Sequence, residues 1–204
     1  MKKIFLTLAL HASLFISVIA QHGVELKPFK VNVSLGYAIP EGSGTKAGVL
    51  FAIEPKYAVM SNLSVGIRTE GAIMARFSGG YDAYGNPIHS TVRLSGSYLA
   101  AVDYYFTDNY NIRPFGGAGA GLFVLARAES SSNNSGNVSE VSKFGEVIRF
   151  GLEMAHFRIC AEYNIVPKTT FNGWDENGAP VTGLISKNNY IGIKFGACFG
   201  GGRR

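Results

Sequence analysis

The chain has 204 residues, enough for one domain with a sizeable core. Its 19 basic and 14 acidic residues leave a net charge of +5, too small and too scattered for a nucleic-acid surface. The only two cysteines, Cys160 and Cys198, have no CxxC spacing and no His pair nearby, so no metal site and no cofactor is expected.

The first segment stands apart from the rest. Lys2 and Lys3 precede an apolar run from Ile4 to Ala20, broken only by Thr7, His11, Ser13 and Ser17. Val18-Ile19-Ala20 suits a signal peptidase, so residues 1–20 are expected to be a signal peptide and residues 21–204 the mature domain. The competing reading is a retained membrane anchor, but the run barely reaches the ~20 residues that a span needs. No cysteine follows the cut, which argues against a lipoprotein. Without Lys2 and Lys3 the chain keeps 17 basic residues against 14 acidic, a net charge of +3.

From Phe29 onward the dominant period is two. Phe29, Val31, Val33, Leu35 and Tyr37 alternate with Lys30, Asn32, Ser34, Gly36 and Ala38, the pattern of a strand with one apolar face. The pattern predicts strands at 29–38, 48–58, 63–74, 92–106, 114–126, 144–154, 157–166 and 189–199. The connections alternate in length. Loops at 39–47, 75–91, 127–143 and 167–188 interleave with turns at 59–62, 107–113 and 155–156. No later segment is long and apolar enough for a membrane helix. The fold expected is all-β: an eight-stranded antiparallel transmembrane β-barrel, an up-and-down meander. Strands of ten or more residues match the ~9–11 that cross a bilayer at a tilt, against ~5–6 in ordinary sheets.

The polar face decides which side is inside. It carries many small residues, among them Gly36, Ala52, Gly66, Ala72, Gly117, Gly121, Gly151 and Gly192, which a solvent face does not need and a cramped lumen does. The same face carries Lys30, Glu54, Lys56, Arg68, Glu70, Arg93, Asp103, Arg149, Glu153, Arg158, Glu162 and Lys194, seven basic and five acidic. These are expected to point inward and pair, because buried charges must be neutralised. The apolar face holds one charge, Glu146, placed near a loop end where lipid penalises it less. Phe29, Tyr57, Tyr104, Phe106, Phe157 and Phe199 cluster toward the short-turn end, as an interfacial girdle would. Ordinary β-propensity also favours aromatics there.

Three stretches carry a family resemblance over most of the mature chain. Tyr104-Tyr105-Phe106-Thr107-Asp108-Asn109 followed by Arg113-Pro114-Phe115-Gly116-Gly117-Ala118-Gly119-Ala120-Gly121-Leu122 resembles the central hairpin of the small outer-membrane β-barrels, the OmpA/OmpX-like family. Glu54-Pro55-Lys56-Tyr57 with Asn62-Leu63-Ser64-Val65-Gly66 resembles its first periplasmic turn. Ile191, Ile193, Phe195, Ala197 and Phe199 resemble the final strand that the barrel-insertion machinery reads, although the chain continues through Gly200-Gly201-Gly202-Arg203-Arg204. The resemblance implies a bacterial outer-membrane location, a monomer in lipid, and outer loops free to meet an extracellular ligand. It implies no particular activity.

Other signals are weaker. Gly117-Ala118-Gly119-Ala120-Gly121 lacks the following helix of a dinucleotide loop. His89 beside Ser90 and Thr91 is the one candidate for lipid-modifying chemistry, with no acid placed to orient it. Tyr81, Tyr84, Phe171 and Trp174 fall in outer loops, as binding anchors or as loop packing. Cys160 and Cys198 are both inward near the periplasmic mouth in this phase; the periplasm permits a disulfide between them if they meet in the closer, non-hydrogen-bonded pairing, and otherwise they are two small inward fillers. The reading is a non-enzymatic outer-membrane protein whose loops serve adhesion, interaction or envelope integrity. A narrow solute pore and a barrel enzyme are the alternatives.

Overall fold

In the computed structural model the chain is described over residues 27–42, 45–81, 87–107, 109, 111–129, 138–174 and 180–201. The side chains of 45, 75–81, 87–93, 127–129, 138–139, 170–174 and 180–186 fall outside that description, as does the predicted signal segment. Ten strands follow in order: β1 (Phe29–Pro40), β2 (Thr45–Met60), β3 (Leu63–Tyr81), β4 (Pro87–Tyr105), β5 (Arg113–Glu129), β6 (Val138–Met154), β7 (Phe157–Ile165), β8 (Thr169–Trp174), β9 (Pro180–Ser186) and β10 (Tyr190–Gly200).

Eight of them close a barrel in the order β1-β2-β3-β4-β5-β6-β7-β10, with β10 pairing back onto β1. Every neighbouring pair is antiparallel. The closing seam runs from Lys30↔Gly200 to Pro40↔Tyr190. Closure matters because lipid offers no partner to a free strand edge.

The period-two pattern explains both walls. On β2, Val49, Phe51, Ile53 and Tyr57 are exposed while Leu50, Ala52, Glu54 and Lys56 are buried. The outer wall continues with Leu35, Ile67, Phe150 and Phe195, each more than 60% exposed. So wide an apolar surface is foreign to a protein surrounded by water. The six aromatics read as a girdle are all exposed on this wall at the short-turn end, where Tyr104 and Phe106 meet edge to face at 5.6 Å.

Several boundaries on the loop side differ from the sequence reading, β6 among them, which begins at Val138 within the predicted loop 127–143. Strands β3 and β4 run on to Tyr81 and from Pro87, so much of the predicted loop 75–91 is paired backbone. The period of apolar residues fades there, but hydrogen-bonded pairing does not require it. The predicted loop 167–188 contains the hairpin β8–β9, which pairs only with itself among the described residues.

The turn between β6 and β7 is two residues long, like that between β2 and β3. Only Ala155 and His156 separate the strands, and Ala155 sits at φ 48°, in the left-handed region. Two-residue hairpin turns demand that conformation, and an L-residue with a Cβ is strained in it. Ala155→Gly should therefore stabilise the folded barrel by about 0.5–1 kcal/mol in urea titrations of refolding into lipid vesicles. An unchanged or lower midpoint would show that the turn is not strained.

Candidate functional site

The inward face of the barrel forms three linked tiers of charge. Nearest the short turns, the Lys30 ammonium donates to both Glu153 oxygens at 2.5 and 2.7 Å and to the Tyr105 hydroxyl at 2.6 Å. Arg158 donates to the same carboxylate at 3.2 Å. Arg113 stacks on the Tyr105 ring at 3.9 Å and donates to the Ser61 carbonyl at 2.5 Å.

Asp103 is the hub of the second tier. Its carboxylate accepts from Lys56, from Arg149 Nε at 2.8 Å and from Arg158 Nη2 at 2.8 Å. Glu54 takes the other Arg149 fork at 2.5 Å and lies 3.2 Å from Lys56. The hub exists because Gly117 faces it: a Cβ there would fall 2.2 Å from Asp103 Oδ1 and 3.1 Å from Arg149 Nε. Steric clearance is thus the role of at least this glycine in the run 117–121.

In the third tier Glu162 accepts from Arg68 and lies beside Lys194, both at 2.6 Å. Glu70 lies 2.9 Å from Arg68 and accepts from Lys194 at 3.1 Å and from the Tyr190 hydroxyl at 2.7 Å. Asn164 Oδ1 and Ser97 Oγ complete the Arg68 fork at 2.9 and 3.3 Å. Arg149 Nη1, 3.7 Å from Glu162, joins this tier to the one below.

Of the ten residues singled out in the sequence as a lumen network, nine lie buried on the inner wall: Glu54, Arg68, Glu70, Asp103, Arg149, Glu153, Arg158, Glu162 and Lys194. The tenth, Arg93, pairs through its backbone with Met74 and Arg127, and its side chain lies outside the described residues. So do the side chains of His89, Tyr81, Phe171 and Trp174, while Tyr84 is not described at all.

The sequence reading missed several partners. Tyr105, Tyr190, Asn164 and Arg113 are all inward; the first three share the phase of a charge assigned to the lumen on their own strand, and Arg113 shares that of Gly117 and lies opposite Glu153. It also missed an apolar lid on the loop side, formed by Ala38, Leu50, Ala72, Met74, Leu99, Phe123, Val147, Val166 and Tyr190. These residues too are in phase with the charges below them. The interior therefore changes from ionic to apolar along its length.

The disulfide expectation is corrected. Both cysteines are free and buried. Phe157 faces Ala197 and Cys160 faces Lys194, so Cys198 stands at the level of His156, whose carbonyl accepts its N–H at 2.7 Å. Four positions at ~3.3 Å each place the cysteine backbones about 13 Å apart along the strands, beyond the ~7 Å limit for a bridge. Strand ends alone do not reveal this register offset. Protein purified without reductant and then denatured should titrate two thiols per chain; fewer would mean a bond that this register forbids.

No protein-family model and no curated protein matches the sequence. Solved structures do match. Neisserial surface protein A is 15% identical, with 84% of this chain and 96% of that one covered at a TM-score of 0.56. The outer membrane protein OprG of Pseudomonas aeruginosa is 14% identical, with 87% and 98% covered at 0.53.

A charge test follows from the third tier. Arg68→Met and Glu162→Met each strand an ionic partner in the interior and should cost about 3–5 kcal/mol. The double variant leaves the Glu70–Lys194 pair intact and should recover much of that loss. Additive losses in denaturant titrations would argue against mutual neutralisation.

At such identities the likeness concerns the fold alone: this chain is a closed eight-stranded antiparallel β-barrel, the fold it shares with both of those proteins.

Proposed function

We propose that the protein is a non-enzymatic integral protein of the bacterial outer membrane. It is exported by residues 1–20 and stands as a monomer in lipid. Its outer loops meet an extracellular ligand or help hold the envelope together. The alternating apolar wall supports the location. Ile191, Ile193, Phe195 and Phe199 face outward on β10, presenting the alternation that barrel-insertion machinery reads.

One observation carries the reading of the interior. The lumen is filled by side chains tied together by ion pairs, and an apolar lid covers them on the loop side. Eight-stranded barrels have interiors just wide enough to be filled this way. A solute would have to part ion pairs and then cross the lid, so the barrel acts as an anchor and display platform instead of a porin.

Planar-bilayer recordings of the purified protein test this. The expected trace has no unitary conductance steps at either polarity. Reproducible steps that disappear when the lid is enlarged, as in Gly145→Leu beside Phe123, would establish a pore.

A further inference from the structure

Within the outward row of β6 one charge sits between bulky apolar side chains. On β6 the exposed outward residues, counted from the short-turn end, are Phe150, Ile148, Glu146 and Phe144, followed by Ser142 and Glu140 toward the loop. β6 runs eight residues beyond Glu146 to Val138, while on the β7 side Glu146 faces Ile165, the last residue of that strand, so it lies near the loop end of one neighbour and within the paired wall on the other. Its cross-strand neighbours are Ala120 on β5 and Ile165 on β7, and Phe144 continues the apolar row above it. Among the described residues no cation pairs with its carboxylate. A charge in that setting is costly unless something supplies the counter-charge.

Beside Glu146 the wall is hollow. A groove of about 550 Å³ is lined by Ala100, Ala118 and Ala120, with Val65, Val102 and Ile148 around them and Glu146 among its lining residues. The register explains it. Ala100, Ala120 and Glu146 form one cross-strand row, and the next row toward the loops is Tyr98, Leu122 and Phe144. Three alanines at a crossing bordered by bulky side chains leave a recess of ligand-binding size, for which ~300–1,000 Å³ is usual.

The chemistry of the recess selects its occupant. Its lining is apolar except for one carboxylate, so it suits an amphiphile with one cationic group. It opens on the wall that faces lipid, so the occupant arrives from the bilayer; this step rests on the membrane location proposed above. A second copy of the chain related by a two-fold axis would bring two Glu146 carboxylates together and is disfavoured. We infer that the groove is a binding site for a membrane lipid whose headgroup carries a primary ammonium. Its acyl chain lies over Ala100, Ala118 and Ala120, and its ammonium pairs with Glu146.

The test uses the mature protein refolded into vesicles of equal parts phosphatidylethanolamine and phosphatidylglycerol, then released for native mass spectrometry. The wild type should retain phosphatidylethanolamine in preference to phosphatidylglycerol by roughly fivefold or more. Glu146→Gln keeps the groove and should abolish the preference. Ala120→Phe fills the groove and should lose both lipids, while Leu35→Ala on another part of the wall changes neither. Heat-modified gel mobility reports insertion of each variant separately. Failure of the wild type to insert would overturn the membrane reading itself. Insertion with equal retention of both lipids, or with a preference that survives Glu146→Gln, would overturn the lipid site alone. A dimer that Ala120→Phe disperses would replace the lipid with a second copy.

Discussion

The pairing of β10 with β1 governs the rest of the molecule. In hydrocarbon every backbone N–H and C=O needs a partner within the protein, and only a closed ladder supplies one for each strand edge. Eleven register pairs, from Lys30↔Gly200 to Pro40↔Tyr190, make that closure. Once the ring is closed at eight strands its interior has a fixed and narrow bore. Half of the residues must fit within it, and the other half must suit lipid. The glycines of the inner wall, the length of the strands and the apolar outer rows are all consequences of that division.

Inside the bore, polarity had to be arranged as well as accommodated. Among the described residues seven buried cations, including Arg113, face five buried carboxylates. No carboxylate serves a single partner: Asp103 takes three cations, and Glu54, Glu70, Glu153 and Glu162 are each shared. Buried ion pairs add little net stability over apolar packing of the same volume. Their value here is spatial, because long forked side chains fill a tube that branched apolar residues of both walls would leave irregular. Where the bore nears the loops, Leu50, Leu99, Phe123 and Val147 take over the filling.

Much of this was readable in the chain. The period of two gives the strands, and a single phase through Lys30, Glu54, Arg68, Asp103 and Arg149 gives the inner wall, because alternation binds each residue to its neighbours' side. What a single strand does not contain is its offset against the next. Cys160 and Cys198 seemed adjacent until the Phe157↔Ala197 pairing set them four positions apart. The recess of Ala100, Ala118 and Ala120 is likewise invisible until three strands are aligned. Strand ends were missed for another reason. Toward the loops, pairing persists through residues such as Arg76↔Thr91 without any apolar rhythm to mark it.

The tiers of charge join residues that are far apart along the chain. Lys30 and Glu153 are separated by 123 positions, Glu70 and Lys194 by 124, and Arg68 and Glu162 by 94. Such contacts form late, since distant segments must first be brought together. A slip of one residue in any strand would turn its inward charges toward lipid and leave their partners bare within. The network therefore serves as a check on assembly. A wrongly registered barrel would carry unpaired charges on both walls, and only the correct pairing of all eight strands brings each inward charge to its partner.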